Sequence, residues 1–205
     1  MVKIVYLFSL IPFIRIKTKG NKQKYYLFGI LPIFKIKEKN KNKPFDGYNN
    51  EWTKHNYQIC AKVGKKLWCG GKTLLTANTF LGEHCCFNGC EIHGNGKVTI
   101  GNHFHSGVEV LMITQNHNYD GGNHIPYSPD DYNYKDIQIG DCVWLGSRVM
   151  LLPGTTIGEG AIIQGGSVVH GVIPPYAIAG GNPAKVFKYR DKAHYDKLKK
   201  EGKFA

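Results

Sequence analysis

The sequence predicts an all-β fold in which short strands stack into a parallel β-helix, and three features of the chain predict it. An aliphatic residue recurs at every sixth position, as Ile139, Leu145, Leu151, Ile157, Ile163 and Val169. A small or β-branched residue follows four positions after each, as Val143, Val149, Thr155, Ala161, Ser167 and Ile173. Glycine directly follows the aliphatic residue at Gly140, Gly146 and Gly158. An α-helix would need apolar residues every three or four positions, so each six-residue unit is read as a short strand plus a tight turn. Three units make one triangular coil, and stacked coils bury a continuous aliphatic column.

Less regular members of the same pattern come earlier in the chain, as the pairs Ile59/Val63, Leu75/Thr79, Leu81/Cys85 and Ile100/Phe104. The pattern therefore predicts three segments. An N-terminal basic and apolar appendage covers 1–50, and the β-helix covers 51–187 with an excursion loop at about 113–136. A C-terminal basic tail or helix covers 188–205, with Asp191 as its N-cap.

The N-terminal segment contains its own duplication. The sequence YLFSLIPFIRIK at 6–17 recurs as YLFGILPIFKIK at 26–37, and β-branched and aromatic residues dominate both copies. This composition predicts a two-stranded β appendage. The alternative is a peripheral membrane contact, in which apolar strips flanked by lysine lie in an anionic interface. The apolar run 4–14 is too short to span a bilayer.

The formal net charge of +12 indicates which kinds of binding partner the protein could have. A basic surface can meet nucleic acid, anionic lipid or a phosphorylated small molecule. No zinc-finger spacing, RNA-recognition signature or helix-turn-helix pattern is visible, so we expect no nucleic-acid partner. The six cysteines follow no zinc-site spacing and no secretory signal is recognisable, which predicts free buried thiols, no metal and a cytoplasmic location, with the inner face of the membrane as the alternative.

Two stretches resemble a known family. IGDCVWLGSRVMLLPGTTIGEGAIIQGGSVV at 139–169 is similar to the late coils of the left-handed β-helix acyltransferases, and IPPYAIAGGNPAKVFKYR at 173–190 is similar to their exit segment. The resemblance covers roughly 55–190. Within the family it points to sugar O-acetyltransferases of the galactoside and maltose type, with xenobiotic acetyltransferases as cousins. It implies a left-handed coil, acetyl-CoA as co-substrate and a homotrimer with active sites between subunits.

The excursion carries the candidate catalytic base, His117. Transfer of an acetyl group from a thioester to a hydroxyl needs a base that takes the hydroxyl proton, and imidazole can then return it to the departing thiolate. In the resembling acetyltransferases a histidine lies seventeen positions after the isoleucine of a TIG triplet, and Ile100 leads to His117 at that spacing. The xenobiotic cousins have a similar Asn-His…Asp-Gly run. The rival base is His124, while His84, His93, His103 and His105 are interpreted as structural.

Several neighbours of His117 are candidates for orienting the base or binding the acceptor. Asp120 could hold the far imidazole nitrogen and so fix the tautomer, a backbone carbonyl could do the same, or Asp120 could bind the acceptor. Asn116 and Tyr119 are assigned to the same group without separate roles. Asn88, in CFNGC, resembles the asparagine that contacts the acceptor in sugar acetyltransferases.

The resemblance also implies a set of donor-binding positions along the coils. Trp144 would pack beside the donor, Ser147 would lie near the thioester as an oxyanion donor, and Gly165 would let the pantetheine arm pass. The complete set is Trp144, Ser147, Gly165, His170, Gly171, Lys185, Lys188 and Arg190, in which the last three would meet the phosphates.

These residues predict an acetyl-CoA-dependent O-acetyltransferase that acts on a sugar hydroxyl, in cell-surface polysaccharide or glycolipid synthesis. Direct transfer is expected, because no cysteine is placed to form an acyl-enzyme. N-acetylation of an amino sugar or antibiotic is the alternative with the same donor. A β-helix without catalytic activity that serves as a scaffold or binding protein is the alternative from another class.

Overall fold

The structure, a computed structural model, describes residues 2–7, 11–19, 22–27, 31–37 and 47–205. The chain divides into two units, Met1–Pro44 and Phe45–Ala205. The predicted segment boundaries at 50/51 and 187/188 stay predictions.

The first unit is a four-stranded antiparallel sheet in the order β1-β2-β3-β4. Its strands are β1 (Val2–Leu7), β2 (Ile11–Lys19), β3 (Lys22–Leu27) and β4 (Leu31–Lys37). The expectation of a two-stranded appendage was wrong. Leu7 pairs with Ile11 and Leu27 pairs with Leu31, so the chain reverses inside each copy of the duplicated segment and each copy contributes to two strands.

The second unit begins with helix α1 (Glu51–Ile59) and ends with helix α2 (Lys192–Lys200). Between them run β5 (Trp68–Cys69), β6 (Thr73–Leu74), β7 (Thr79–Leu81), β8 (Cys86–Phe87), β9 (Cys90–His93), β10 (Val98–Ile100), β11 (His105–Ser106), β12 (Val110–Ile113), β13 (Gln115–His117), β14 (Tyr132–Tyr134), β15 (Ile137–Ile139), β16 (Trp144–Leu145), β17 (Met150–Leu151), β18 (Thr156–Ile157), β19 (Ile162–Ile163), β20 (Val168–Val169), β21 (Val172–Ile173), β22 (Ala177–Gly181) and β23 (Ala184–Tyr189). Among the described residues, no helix is both long and apolar enough to cross a membrane.

Three parallel sheets form the walls of a β-solenoid, which confirms the predicted parallel β-helix. The first sheet has the order β21-β18-β15-β10-β7, the second β23-β22-β19-β16-β11-β8-β5 and the third β20-β17-β12-β9-β6. The chain visits the second, third and first sheets in turn, so each coil adds one strand to each wall. Strand β23 is the exception, because it pairs antiparallel with β22 and closes the edge of the second sheet.

The six-residue period of the sequence is the period of the buried column. All twelve of the aliphatic, small and β-branched positions from Ile139 to Ile173 are at most 4% exposed. The two polar members are hydrogen-bonded inside the column. Thr155 Oγ1 donates to the carbonyls of Leu152 at 2.7 Å and Val169 at 3.1 Å, and Ser167 Oγ donates to Gln164 O at 2.6 Å. Satisfied hydroxyls of this kind are tolerated in a core.

The glycines of the repeat lie where successive coils approach each other most closely. A Cβ atom on Gly140 would lie 2.7 Å from the backbone nitrogen of Glu159, and one on Gly146 would lie 2.5 Å from that of Gly165. Both contacts are with backbone atoms, which cannot move aside. Stacking therefore explains why glycine follows the inward aliphatic residue.

The assignment of Ile59 to the column was wrong. Ile59 is the last residue of α1 and is 40% exposed, whereas the next residue, Cys60, is 1% exposed. An α-helix has 3.6 residues per turn, so the six-residue period of the coils cannot extend into it. The buried side chain of Asn56 instead joins α1 to the first coil, because it donates to Thr73 O at 2.8 Å and accepts from Leu75 N at 3.0 Å.

Helix α2 packs against the corner between the first and second sheets. The predicted N-cap is present, because the Asp191 carboxylate accepts from His194 N at 2.9 Å. Tyr195 is buried and donates its hydroxyl proton to Glu159 at 3.0 Å. The C-terminal segment is thus a helix whose one apolar anchor lies on the solenoid.

Candidate active site

The excursion leaves the solenoid as a β-hairpin. The third-sheet strand β12 ends at Ile113, and β13 and β14 then pair antiparallel before the chain rejoins the first sheet at β15. Strand β15 pairs directly with β10, so the coils stack without a gap beneath the hairpin. The polar run that interrupts the repeat is therefore accommodated wholly outside the column, where loops commonly carry function.

His117 lies in the middle of an aromatic cluster on this hairpin. It is directly opposite Tyr132 in the antiparallel register, and the centroids of the two rings are 4.4 Å apart. The ring of Tyr127 stacks on the imidazole at 4.1 Å with an interplanar angle of 21°. His117 is half-buried, so one part of the imidazole remains open to solvent.

A backbone carbonyl defines the tautomer of His117. Its Nδ1 atom lies 3.2 Å from the carbonyl oxygen of Ser128. A carbonyl oxygen can only accept, so Nδ1 carries the proton in this hydrogen bond and the lone pair of the neutral ring is on Nε2. Ser128 is itself held in place, since its backbone nitrogen donates to Asn118 O at 2.9 Å and its Oγ accepts from Asn123 N at 3.2 Å.

The other predicted excursion residues, Asn116, Tyr119 and Asp120, are exposed on the hairpin. In the part of the chain that the structure describes, Asp120 makes no hydrogen bond or ion pair with His117, and the carbonyl of Ser128 occupies Nδ1. The acceptor-binding roles of the three residues stay predictions. The rival base His124 is exposed at the hairpin tip, where its Nδ1 lies 2.7 Å from the side-chain oxygen of Asn123.

Three predicted residues share the corner between the second and third sheets. Asn88, Ser147 and Gly165 follow second-sheet strands of different coils. Val108 N donates to Ser147 Oγ at 3.3 Å, Gly166 N donates to Ser147 O at 2.8 Å, and Asn88 Nδ2 donates to Ser106 O at 2.8 Å. The corner is therefore a ladder of backbone and side-chain contacts, with all three predicted residues exposed along it.

The remaining predicted donor residues lie on several parts of the surface. Trp144 lies on the outer face of the second sheet, paired in register with His105 and Ile162, and is 55% exposed. His170 and Gly171 connect the third and first sheets, at the same corner from which the excursion leaves but two coils later. The structure does not place Trp144, His170 or Gly171 in contact with His117.

The basic residues of the exit segment differ in what they contact. Lys185 and Lys188 are exposed on the edge strand β23. Arg190 donates to Gly160 O at 3.2 Å, and its guanidinium lies 4.9 Å from the centroid of the Tyr195 ring. Arg190 therefore attaches α2 to the solenoid, a contact that the sequence did not predict. Its predicted role toward the donor phosphates stays a prediction.

The cysteines are free thiols, and four are buried: Cys60, Cys69, Cys85 and Cys90. Burial raises the pKa of Cys60 and of Cys85 to about 12 and that of Cys69 to about 11. Such thiols stay protonated near neutral pH and are poor nucleophiles. Among the described residues, no group of three or more histidine, cysteine, aspartate or glutamate side chains could hold a metal ion.

Tyr127, Ser128 and Tyr132 contact His117 and were not predicted from the sequence. The pairing of Tyr132 with His117 depends on the hairpin register, and the contact with Ser128 is made by a backbone atom that carries no side-chain signal. The tyrosine content of the excursion was the one available indication, because aromatic side chains are uncommon in disordered loops.

Comparison with known proteins shows which protein family the repeat resembles. Residues 136–171 match the family model described as bacterial transferase hexapeptide (six repeats). The matched residues form the coils that follow the hairpin, from the start of β15 to the end of β20.

The solved structures and the curated relatives are more specific. A maltose O-acetyltransferase from Clostridium difficile 630 superposes with a TM-score of 0.60 and 27% identity, over 71% of this chain and 79% of that one. A galactoside acetyltransferase in complex with coenzyme A gives 0.53 and 28%, over 66% and 68%. A hexapeptide-repeat acetyltransferase from Vibrio cholerae O1 biovar eltor, complexed with acetyl coenzyme A, gives 0.51 and 26%, over 60% and 64%.

Among sequences, a chloramphenicol acetyltransferase of Klebsiella aerogenes is 40% identical over 98 residues, which cover 42% of this chain and 47% of that relative. The chain spans between about a quarter and about half of the length of the curated relatives it matches. Together these matches show that the chain is similar to hexapeptide-repeat acetyltransferases.

Proposed function

We propose that this protein is an acetyl-CoA-dependent O-acetyltransferase that acts on a sugar hydroxyl. The observation that carries the proposal is the hydrogen bond of His117 Nδ1 to the carbonyl of Ser128, since it leaves a basic lone pair on Nε2 of a half-buried imidazole. The names of the maltose and galactoside enzymes support a sugar as the acceptor. Synthesis of a cell-surface polysaccharide or glycolipid is the setting that would use such a product.

In the proposed step, Nε2 of His117 takes the proton of the acceptor hydroxyl as its oxygen attacks the thioester carbonyl. The carbon–sulfur bond breaks, and the imidazolium returns the proton to the departing thiolate, so the products are an acetyl ester and the free thiol of coenzyme A. A base placed in this way contributes about 10²-fold to 10⁴-fold to the rate. No protein-bound intermediate is needed.

The donor is proposed to lie along the corner that contains Ser147 and Gly165. Both residues are exposed, and a Cβ at the neighbouring Gly166 would have no atom within 4 Å, so no side chain obstructs an extended ligand there. Trp144 offers an exposed flat face, and Lys185 and Lys188 offer cations for the phosphates. Coenzyme A in one similar structure and acetyl coenzyme A in another support this ligand class.

Within one chain, His117 does not contact the predicted acetyl-CoA-binding residues Trp144, His170 and Gly171. We therefore propose a homotrimer in which a neighbouring subunit completes the site. Light scattering coupled to size-exclusion chromatography tests the mass of the assembly.

A cytoplasmic location, with contact of the first unit to the inner membrane face, is proposed on the basis of the basic N-terminal sequence. Sedimentation with vesicles of anionic and of neutral lipid tests that contact.

A second candidate function is acetylation of an antibiotic or an amino sugar. The name of the chloramphenicol acetyltransferase supports an antibiotic as the acceptor. The same donor and the same base would serve, because an amine acceptor also loses a proton during transfer.

One experiment separates these candidates. Purified protein is incubated with acetyl-CoA and a panel of hydroxyl sugars, amino sugars and chloramphenicol, and release of the coenzyme A thiol is followed. We expect turnover with a hydroxyl sugar, and a loss of about 10²-fold to 10⁴-fold in kcat for His117→Ala. His124→Ala is the matched control, because it removes an exposed histidine from the same hairpin. No thiol release with any acceptor, together with no rise in melting temperature on adding acetyl-CoA, would favour a scaffold protein.

A further inference from the structure

The imidazole of His117 is in contact with two tyrosine rings. Tyr127 stacks at 4.1 Å with planes 21° apart, and Tyr132 lies at 4.4 Å with planes 36° apart. In the described part of the chain, Tyr127 and Tyr132 make no ring contact with each other. The ring of Tyr127 stacks on the imidazole, and the ring of Tyr132 lies tilted against it. The imidazole is therefore in contact with two tyrosine rings at once.

The two tyrosines come from different parts of the hairpin. Tyr132 is on β14 and is placed by the register that pairs it with His117. Tyr127 precedes Ser128, whose carbonyl oxygen accepts from Nδ1 of His117 at 3.2 Å. One side of the loop thus supplies both a stacking face and the hydrogen-bond acceptor, and the buried Ser128 anchors that side.

These contacts restrict the orientation of the ring. The stacked ring of Tyr127 and the tilted ring of Tyr132 limit how far the imidazole can tilt, because tilting would press its edge into a tyrosine. The hydrogen bond at Nδ1 then limits the rotation of the imidazole within its own plane. Because the tilt and the rotation of the ring are both limited, the direction of the lone pair on Nε2 is limited as well.

From this geometry we propose that Tyr127 and Tyr132 are positioning residues for the acetyl transfer, which hold His117 in the ring orientation that aims Nε2 at the acceptor hydroxyl. The inference rests on the proposed function of His117 as the base. The stacking faces of the tyrosines carry this role, and their hydroxyl groups are not required for it.

The test compares leucine and phenylalanine substitutions in the full chain. Tyr127→Leu and Tyr132→Leu remove a flat face, whereas Tyr127→Phe and Tyr132→Phe retain it. We expect each leucine variant to lower kcat about tenfold to a hundredfold without a change in KM for acceptor or donor, since a displaced catalytic group costs rate rather than binding. We expect both phenylalanine variants to keep the wild-type kcat.

Tyr134→Leu is the matched control. Tyr134 lies on the same strand as Tyr132, with the two ring centroids 6.2 Å apart, and it pairs with Gln115 rather than His117. We expect it to keep the wild-type kcat. Thermal unfolding of every variant checks that the solenoid is intact, which we expect because the hairpin lies outside the buried column.

A readout independent of activity is the ¹⁵N spectrum of the His117 ring. In the wild type we expect the signals of a single tautomer with the proton on Nδ1. In the leucine variants we expect the signals to move toward an average of the two tautomers, and in the phenylalanine variants to stay as in the wild type.

Three results would overturn the inference. The first is wild-type kcat in both leucine variants. The second is a rise in the acceptor KM at constant kcat, which would make the tyrosines acceptor-binding residues instead. The third is loss of kcat in the phenylalanine variants equal to that in the leucine variants, which would assign the effect to the hydroxyls. Failure of the proposed function is distinguishable, because it appears as full activity in His117→Ala, whereas the ring spectra of the wild type and of the tyrosine variants still report the orientation of His117.

Discussion

The Nδ1 atom of His117 donates its proton to the carbonyl oxygen of Ser128 across 3.2 Å, eleven positions further along the chain. This contact joins the base of the candidate site to the backbone of the loop that covers it. A carbonyl cannot be removed by side-chain substitution and has no titrating proton of its own. The tautomer of His117 therefore depends on the shape of the hairpin rather than on a nearby carboxylate.

The first prediction concerns Asp120, which the sequence offered as an orienting residue or as an acceptor ligand. Because the carbonyl of Ser128 already holds Nδ1, we expect Asp120→Asn to leave kcat unchanged and to act, if at all, on the acceptor KM. Steady-state kinetics with the acceptor identified from the panel measure both constants. A fall in kcat of about 10²-fold or more at constant KM would restore Asp120 as the orienting group.

The second prediction concerns the aliphatic column. Leu151 is 0% exposed, so Leu151→Ala leaves a cavity between stacked coils and is expected to lower the free energy of unfolding by about 2–5 kcal/mol. Urea denaturation followed by circular dichroism gives the value. Val172→Ala is the control, because Val172 is 74% exposed on the outer face and its loss is expected to cost no more than about 0.5 kcal/mol. Equal effects of the two substitutions would contradict the burial pattern.

The third prediction concerns the joint between α1 and the first coil. Asn56→Ala leaves the carbonyl of Thr73 and the N–H of Leu75 buried without their side-chain partner. Each such group costs about 1–3 kcal/mol, so we expect a clear loss of stability in urea denaturation. Lys54→Ala, an exposed substitution on the same helix, serves as the comparison and is expected to be near neutral. If both variants have the same urea midpoint of unfolding as the wild type, the contact of α1 with the first coil does not stabilise the solenoid.

The fourth prediction concerns the buried thiols. Burial raises the pKa of Cys60 from 9.0 to about 12 in the folded protein, while the unfolded chain keeps the ordinary value. The unfolded state therefore loses its proton first, and the stability associated with this thiol is complete below about pH 9 and is lost as pH rises toward 12. We expect the stability difference between wild type and Cys60→Ala, measured by urea denaturation, to shrink steadily above about pH 9.

Thiol labelling offers a check on that interpretation. In the native protein near neutral pH, we expect a thiol reagent to label the partly exposed Cys86 and Cys142 and to spare Cys60. Labelling of Cys60 at the same rate as Cys142 would show that the first coils open readily. The pH dependence of Cys60→Ala would then need another cause.

The coils could be predicted in detail because their structure is local and repeated. Each inward residue from Ile139 to Val169 follows the same rule, so one period counted in the sequence determined six buried positions at once. Ile59 shows the limit of the rule. Its residue type fits the repeat, but whether a segment continues a column or forms a helix that closes it depends on what lies above the first coil.

The sequence by itself determined the solenoid, the place where it is interrupted and the histidine that the interruption carries. The period of six is a property of neighbouring residues, and an insertion without that period must leave the column. The tertiary structure alone decided what surrounds His117. The carbonyl of Ser128 and the rings of Tyr127 and Tyr132 reach the imidazole through the register of a hairpin and the path of its loop. Such contacts join residues that are distant in the chain, so no local pattern encodes them.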